Sequence, residues 1–163
     1  MDTVDPRLEL ARTADAPLIS AMSARLIEAG LAPSWPAERV ARHIHHEESV
    51  VLAARGPGGL AGFAIMQFGD STAHLNLLAV EPTSQRRGLG GALLAWLEQT
   101  AVVAGTFVIQ LELRASNAGA HAFYEGRGYH DTGRVTGYYQ RLEDAIQMAR
   151  DLSVAPGHPP PGP

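Results

Sequence analysis

The chain has 163 residues, 45% hydrophobic and 18% charged, a composition that matches one folded domain and not a disordered segment. Thirteen Lys and Arg against seventeen Asp and Glu leave a net charge of −4, so there is no general attraction to phosphate backbones or anionic membrane. Cysteine is absent, which excludes disulfides, a thiol nucleophile and every Cys-ligated metal centre.

No apolar run approaches the roughly 18 residues needed to span a bilayer. The opening Met1-Asp2-Thr3-Val4-Asp5 is acidic and lacks the basic and apolar regions of a signal peptide. The expectation is a cytoplasmic protein with neither nucleic acid nor membrane as partner.

Leu8-Glu9-Leu10-Ala11 alternates and predicts a short first strand. Thr13 or Asp15 then caps a helix to about Glu28, stopped by Gly30, and Pro36 opens a second helix to about Glu47. Val50 to Arg55 and Leu60 to Phe68 read as strands around the turn Gly56-Pro57-Gly58-Gly59. Ala73 to Val80 makes a third long strand.

Leu89, Leu93, Trp96, Leu97 and Thr100 recur at helical spacing and predict a helix over 88–104. Phe107, Ile109, Leu111 and Leu113 alternate with Gln110, Glu112 and Arg114, a half-buried strand. A short helix over 117–126 follows. The closing strands, 128–134 and 143–149, are joined through Val135-Thr136-Gly137-Tyr138-Tyr139. Hairpins in the first half and crossovers in the second predict an α/β (α+β) domain built on a mixed sheet. We assign it to residues 1–152, followed by a Pro/Gly-rich disordered tail over 153–163.

The most informative segment is Gln85-Arg86-Arg87-Gly88-Leu89-Gly90-Gly91-Ala92, set between a strand and a strong helix. Glycines let a ligand approach the backbone, and the amides of a first helical turn have no intrahelical partners. With the helix dipole and two arginines beside them, those amides suit a pyrophosphate. A Walker loop is excluded because no Gly-Lys-Ser/Thr is present, and a dinucleotide fingerprint lacks its third glycine at Leu93.

Leu78-Ala79-Val80-Glu81-Pro82 followed by Gln85-x-x-Gly88-x-Gly90 resembles motif A of the GNAT superfamily of N-acetyltransferases. Glu112-Leu113-Arg114-Ala115-Ser116-Asn117, then Phe123-Tyr124-Glu125-x-x-Gly128-Tyr129, resembles its motif B. The resemblance covers about residues 48–150. Within the superfamily, Leu111 to Asn117 and the closing Glu143-Asp144-Ala145-Ile146-x-Met148-Ala149 are most similar to the ribosomal-protein alanine N-acetyltransferase branch, as is Pro33-Ser34-Trp35. One departure is plain: only Gln140, Arg141 and Leu142 separate the Tyr-Tyr pair from Glu-Asp-Ala, a connection shorter than that branch usually carries.

The resemblance implies a mixed, mostly antiparallel sheet of about seven strands with a V-shaped splay, flanked by about four helices. It implies acetyl-CoA in that splay, with Leu78, Ala79 and Val80 along the pantetheine and Gln85, Arg86, Arg87, Gly88, Leu89, Gly90 and Gly91 at the pyrophosphate. Asn117 would hold the pantetheine or acetyl end, with Tyr124 near the sulfur, although Asn117 also suits a plain helix cap.

Tyr124 is the candidate general acid, because amine attack on a thioester expels a thiolate that a nearby phenol can protonate. Glu112 is the candidate general base, with an ion pair to Arg114 or another neighbour as the plainer reading. His74, eleven residues before Gln85, is a second base candidate, since imidazole titrates near neutral pH. Trp35, Tyr138 and Tyr139 are candidates for the acceptor cleft, against simple packing under loops. His43, His45 and His46 with Glu47 and Glu48 read as a solvated helix face, and no metal is expected.

The function this implies is acetyl transfer to a primary amine in a ternary complex, with a protein N-terminus as first acceptor. A small-molecule amine acetyltransferase and a non-catalytic acetyl-CoA sensor are the alternatives. A monomer or a homodimer fits either.

Overall fold

A computed structural model describes residues 7–85 and 88–154. Arg86, Arg87 and the Pro/Gly-rich stretch from 155 onward, which carry three of the expectations above, lie outside the described residues. The elements run β1 (Arg7–Leu10), α1 (Ala16–Leu26), α2 (Ala37–His45), β2 (Ser49–Gly56), β3 (Gly59–Phe68), β4 (Thr72–Val80), α3 (Leu89–Val103), β5 (Val108–Arg114), α4 (Ala118–Glu125), β6 (His130–Tyr139) and β7 (Glu143–Asp151), with single 3-10 turns at Thr13–Asp15 and Pro82–Ser84.

The strands form one seven-stranded sheet in the order β1-β2-β3-β4-β5-β7-β6. β4 and β5 pair in parallel, while β1–β2, β2–β3, β5–β7 and β6–β7 are antiparallel. This is the mixed α/β arrangement with four α-helices that the sequence predicts. By contact the described residues group into two compact units. One holds those up to Gln67 with Asn76–Gln99, the other Phe68–Leu75 with those from Thr100 onward.

In the first unit, alternation on β2 and β3 decides what faces α1 and α2. Val51 pairs with Ile65 and Ala53 with Phe63, and all four join Ile19, Met22, Trp35 and Val40 in one buried cluster. Leu52 and Ala64, paired on the opposite face, are fully buried as well. At the start of α1, Asp15 accepts the Arg12 N–H at 2.7 Å and receives a two-pronged bond from Arg55, at 2.9 and 2.6 Å. Both contacts hold the Asp15 carboxyl below its ordinary range, the Arg55 bond most strongly.

In the second unit, β5 runs between β4 and β7. Its buried residues Ile109, Leu111 and Leu113 alternate with Gln110, Glu112 and Arg114, as predicted. The β4–β5 ladder runs from Thr72↔Val108 to Leu75↔Leu111. β5 pairs with β7 along its whole length, from Val108↔Asp151 to Arg114↔Ala145.

The closing hairpin corrects the sequence reading. Val135 to Tyr139, expected to be the connection, belongs to β6, and Tyr139 pairs directly with Glu143. The turn is Gln140-Arg141-Leu142, with Gln140 and Arg141 at φ 56° and 63°, closed by Arg141 N–H to Gly137 O and Leu142 N–H to Tyr139 O, each 2.9 Å. Gly137 marks a register shift within β6, at φ 65°. Glycine in a strand bulge was read as glycine in a loop.

Candidate active site

In the first unit, β4 alternates buried Leu77 and Ala79 with half-buried Leu78 and Val80. The Gln85 amide donates to the Val80 carbonyl at 3.0 Å, and Glu81 N–H donates to Ala61 O at 2.8 Å, tying the strand end to β3. Arg25 of α1 forms an ion pair with Glu81.

α3 begins at Leu89, directly after Gly88. Gly88 sits at φ 73° with open space where a Cβ would stand, and its carbonyl accepts from Ala92 N–H at 2.9 Å in the first turn of α3. Leu89 is buried and anchors that turn, with Gly90 and Gly91 half-buried beside it. The first turn therefore leads with its amides and carries little side chain, which is what a bound phosphate requires.

In the second unit, β5, β4, β7, β6 and α4 bring polar groups together. Glu112 Oε2 lies 2.5 Å from His74 Nε2. The two side chains share a sheet face: His74 is opposite Gln110 in the register, and Glu112 is two residues further along β5. Arg114 Nε donates to Glu143 Oε2 at 2.6 Å. The pairing found for Glu112 is with a neighbour, His74, which is within the plainer role that sequence offered for it.

Tyr124 is buried on α4, with its ring edge-on to Phe123 and Tyr129 at 5.0 and 5.5 Å. Burial, reinforced by Tyr139, pushes its phenol well above the ordinary tyrosine value. Burial also raises Tyr139, aided by Tyr138 and then by the negative charge of Glu112. Tyr139 thus stands within electrostatic reach of both Tyr124 and Glu112, and Glu112 is in contact with His74. Tyr138 is 47% exposed and edge-on to Tyr139 at 4.9 Å.

Asn117 caps α4, its Oδ1 accepting from Ala120 N–H at 3.0 Å. The cap leaves the amide nitrogen of the side chain to serve elsewhere. Glu143 was quoted in the sequence only as part of a motif, with no role of its own. It accepts from Arg114 and from both the N–H and the hydroxyl of Ser116, which holds its carboxyl down at about 2. This clamp fixes the junction between β5 and α4, the elements that carry Glu112 and Tyr124.

Trp35 belongs to the first unit. It is 7% exposed, part of the cluster under α1 and α2, with Arg39 3.7 Å above its ring and His43 at 5.1 Å. Its position is that of a packed core residue. The histidine-rich helix end is likewise occupied: His45 bonds Thr13 at 2.9 Å and His43 bonds Ser49 at 3.0 Å. Among the described residues no group of three or more His, Cys, Asp or Glu has metal-holding geometry. Among them, too, no helix is long and apolar enough to cross a membrane.

The profile of the acetyltransferase (GNAT) family matches residues 20–129. The chain belongs to that family. It is 43% identical over 98 residues to the ribosomal protein bS18-alanine N-acetyltransferase of Salmonella typhimurium, a match covering 58% of this chain and 66% of that enzyme. The chain thus spans just under two thirds of that relative's length. The N-terminal acetyltransferase B complex catalytic subunit of Schizosaccharomyces pombe is 38% identical over 84 residues, 49% of this chain and 47% of that protein. The crystal structure of the ribosomal-protein-S18-alanine N-acetyltransferase from Escherichia coli superimposes with a TM-score of 0.78 at 32% identity, covering 94% of this chain and 98% of that one.

Proposed function

We propose that this chain transfers the acetyl group of acetyl-CoA to a primary amine, and that the amine is the α-amine of a protein N-terminus. The observation that carries the reading is a glutamate on β5, Glu112, in contact with His74, together with a buried tyrosine, Tyr124, on the helix that follows that strand. The names of the bacterial and fission-yeast relatives, both acting at protein N-termini, support the choice of acceptor.

In this reading the free amine attacks the thioester carbonyl carbon, a C–N bond forms and the C–S bond breaks. Glu112 takes the proton that the nitrogen loses, and Tyr124 gives one to the departing sulfur. Its raised proton affinity keeps the phenol protonated across the working pH range. Leu78, Ala79, Val80 and the Gln85–Gly91 loop, including Arg86 and Arg87, hold the donor, with Asn117 at its acetyl end. Tyr138 and Tyr139 meet the acceptor.

Ionisation favours the N-terminus. At pH 7.5 an α-amine of pKa near 8 is roughly one-quarter free base, a lysine near 10.4 about one part in a thousand. A carboxylate then suffices as base. A small amine acceptor is the second reading, favoured by the three-residue turn at Gln140–Leu142 beside Tyr139. Mass spectrometry of free-N-terminal peptides incubated with acetyl-CoA tests the proposal. Acetylation confined to the N-terminal residue is expected.

A further inference from the structure

Glu112, the base of the reading above, has its carboxylate against the His74 ring. Its neighbours across the sheet are Gln147 on β7, its register partner, and His74 on β4, while Tyr139 on β6 senses its charge. A carboxylate that accepts a proton must present one oxygen in a fixed direction, and a glutamate side chain with three rotatable bonds does not do so unaided. The His74 ring lies at hydrogen-bonding distance from Oε2, so one oxygen of the carboxylate is held in a fixed direction. His74 stands on the short run of β4 that is laddered to β5, through Thr72↔Val108 to Leu75↔Leu111, so its backbone is held in register with the strand that bears Glu112. Its side chain is 38% exposed and that of Glu112 18%, placing the histidine on the solvent side of the pair.

We propose that His74 is a positioning residue for Glu112: its Nε2–H donates to Oε2 and orients the carboxylate for proton abstraction, and His74 is not itself the base. This rests on Glu112 being the base in the reading above. A donor in that place is what matters, not a group that carries protons. An independent base, as the sequence also allowed, would behave differently in combination with Glu112.

A double-mutant cycle on kcat separates the two, using whichever amine the wild type accepts best. His74→Ala is expected to lower kcat by roughly tenfold with the KM for acetyl-CoA unchanged. The same change in a Glu112→Gln background should have no further effect, and His74→Gln, which keeps an N–H donor, should restore most of the rate. Equal losses in both backgrounds, no loss at all, or His74→Gln as slow as His74→Ala would each overturn the proposal. Because activity also depends on the reading above, nitrogen-15 shifts of the His74 ring read the pair independently. They should change on Glu112→Gln, and unchanged shifts mean that the pair does not form. Wild-type protein inactive on every amine, with shifts that do respond, would instead contradict the reading of the reaction.

Discussion

Glu143 binds Ser116 twice, its Oε1 accepting the backbone N–H at 2.9 Å and the side-chain hydroxyl as well, while its Oε2 takes the Arg114 Nε–H. One carboxylate on β7 thereby fixes the last residue of β5 and the turn that leads into α4. Tyr124 reaches its place through that junction.

The clamp has a signature in acid. The Glu143 carboxyl lies at about 2, against an ordinary value of 4.5, so it binds fewer protons folded than unfolded. Its contribution is therefore complete above pH 4.5, and protonation removes it as the pH falls toward 2. Glu143→Gln should unfold at lower temperature than wild type at pH 7. The gap should narrow as the pH is lowered through that window, measured by circular dichroism melts at each pH.

Proton transfer is tested by two substitutions with different pH behaviour. Tyr124→Phe should lower kcat by roughly 10²-fold with little change in the KM for acetyl-CoA. Because burial raises the phenol, the wild-type profile should show no loss of activity from Tyr124 ionisation below about pH 10. Glu112→Gln should lose most rate at low pH, where the acceptor amine is largely protonated. Initial rates from pH 6 to 9.5 on both variants check this, and wild-type rates throughout would remove both residues from the mechanism.

The glycine loop predicts a binding defect. Gly90→Asp places bulk and negative charge in the first turn of α3, where the pyrophosphate is proposed to lie. Titration calorimetry should detect no acetyl-CoA binding to that variant. Gly88→Ala should bind but melt earlier, since φ 73° costs a side-chain-bearing residue about 1 kcal/mol.

The elements that carry hydrophobic period were legible in the sequence. β5 alternates over its whole length, and the apolar residues of α3 recur at helical spacing; each signal reflects burial on one side of a single element. The end of β6 was not legible, because what makes Val135–Tyr139 a strand is its partner β7, and pairing across a hairpin leaves little trace in a segment with Gly133 and Gly137. The turn itself carries positive φ on Gln140 and Arg141, residues that do not announce it. Within the candidate site, residue types and motif order single out Glu112, Tyr124 and His74 as candidates. That His74 and Glu112 touch, and that Arg114 turns to Glu143, depends on register between strands 29 or more residues apart in sequence. No local pattern records that.

Trp35 illustrates the same limit. An aromatic residue between Pro33-Ser34 and Pro36 reads as a loop residue free to meet a substrate, yet it is buried beneath Arg39 and beside His43. Trp35→Ala should therefore destabilise the fold by about 3–5 kcal/mol, as large core truncations do, and Trp35→Phe by much less. Chemical denaturation measures this. A stability near wild type with a raised KM for the acceptor would return Trp35 to the acceptor site.

The claim on which the rest depends is the identity of the acceptor, and one competition assay addresses it. Equal concentrations of a peptide with a free N-terminal Ala or Ser, its N-blocked counterpart bearing an internal Lys, and a panel of polyamines are incubated together with the protein and acetyl-CoA. Products are then resolved by mass spectrometry. All thirteen cationic residues of the chain are arginine, so no side-chain lysine of the enzyme competes for label. Acetyl transfer to the free α-amine by more than tenfold over every other acceptor is the expected result, following from the roughly hundredfold difference in free base between an α-amine and lysine, partly offset by lysine's greater nucleophilicity. Preferential labelling of the blocked lysine peptide or of a polyamine would contradict it.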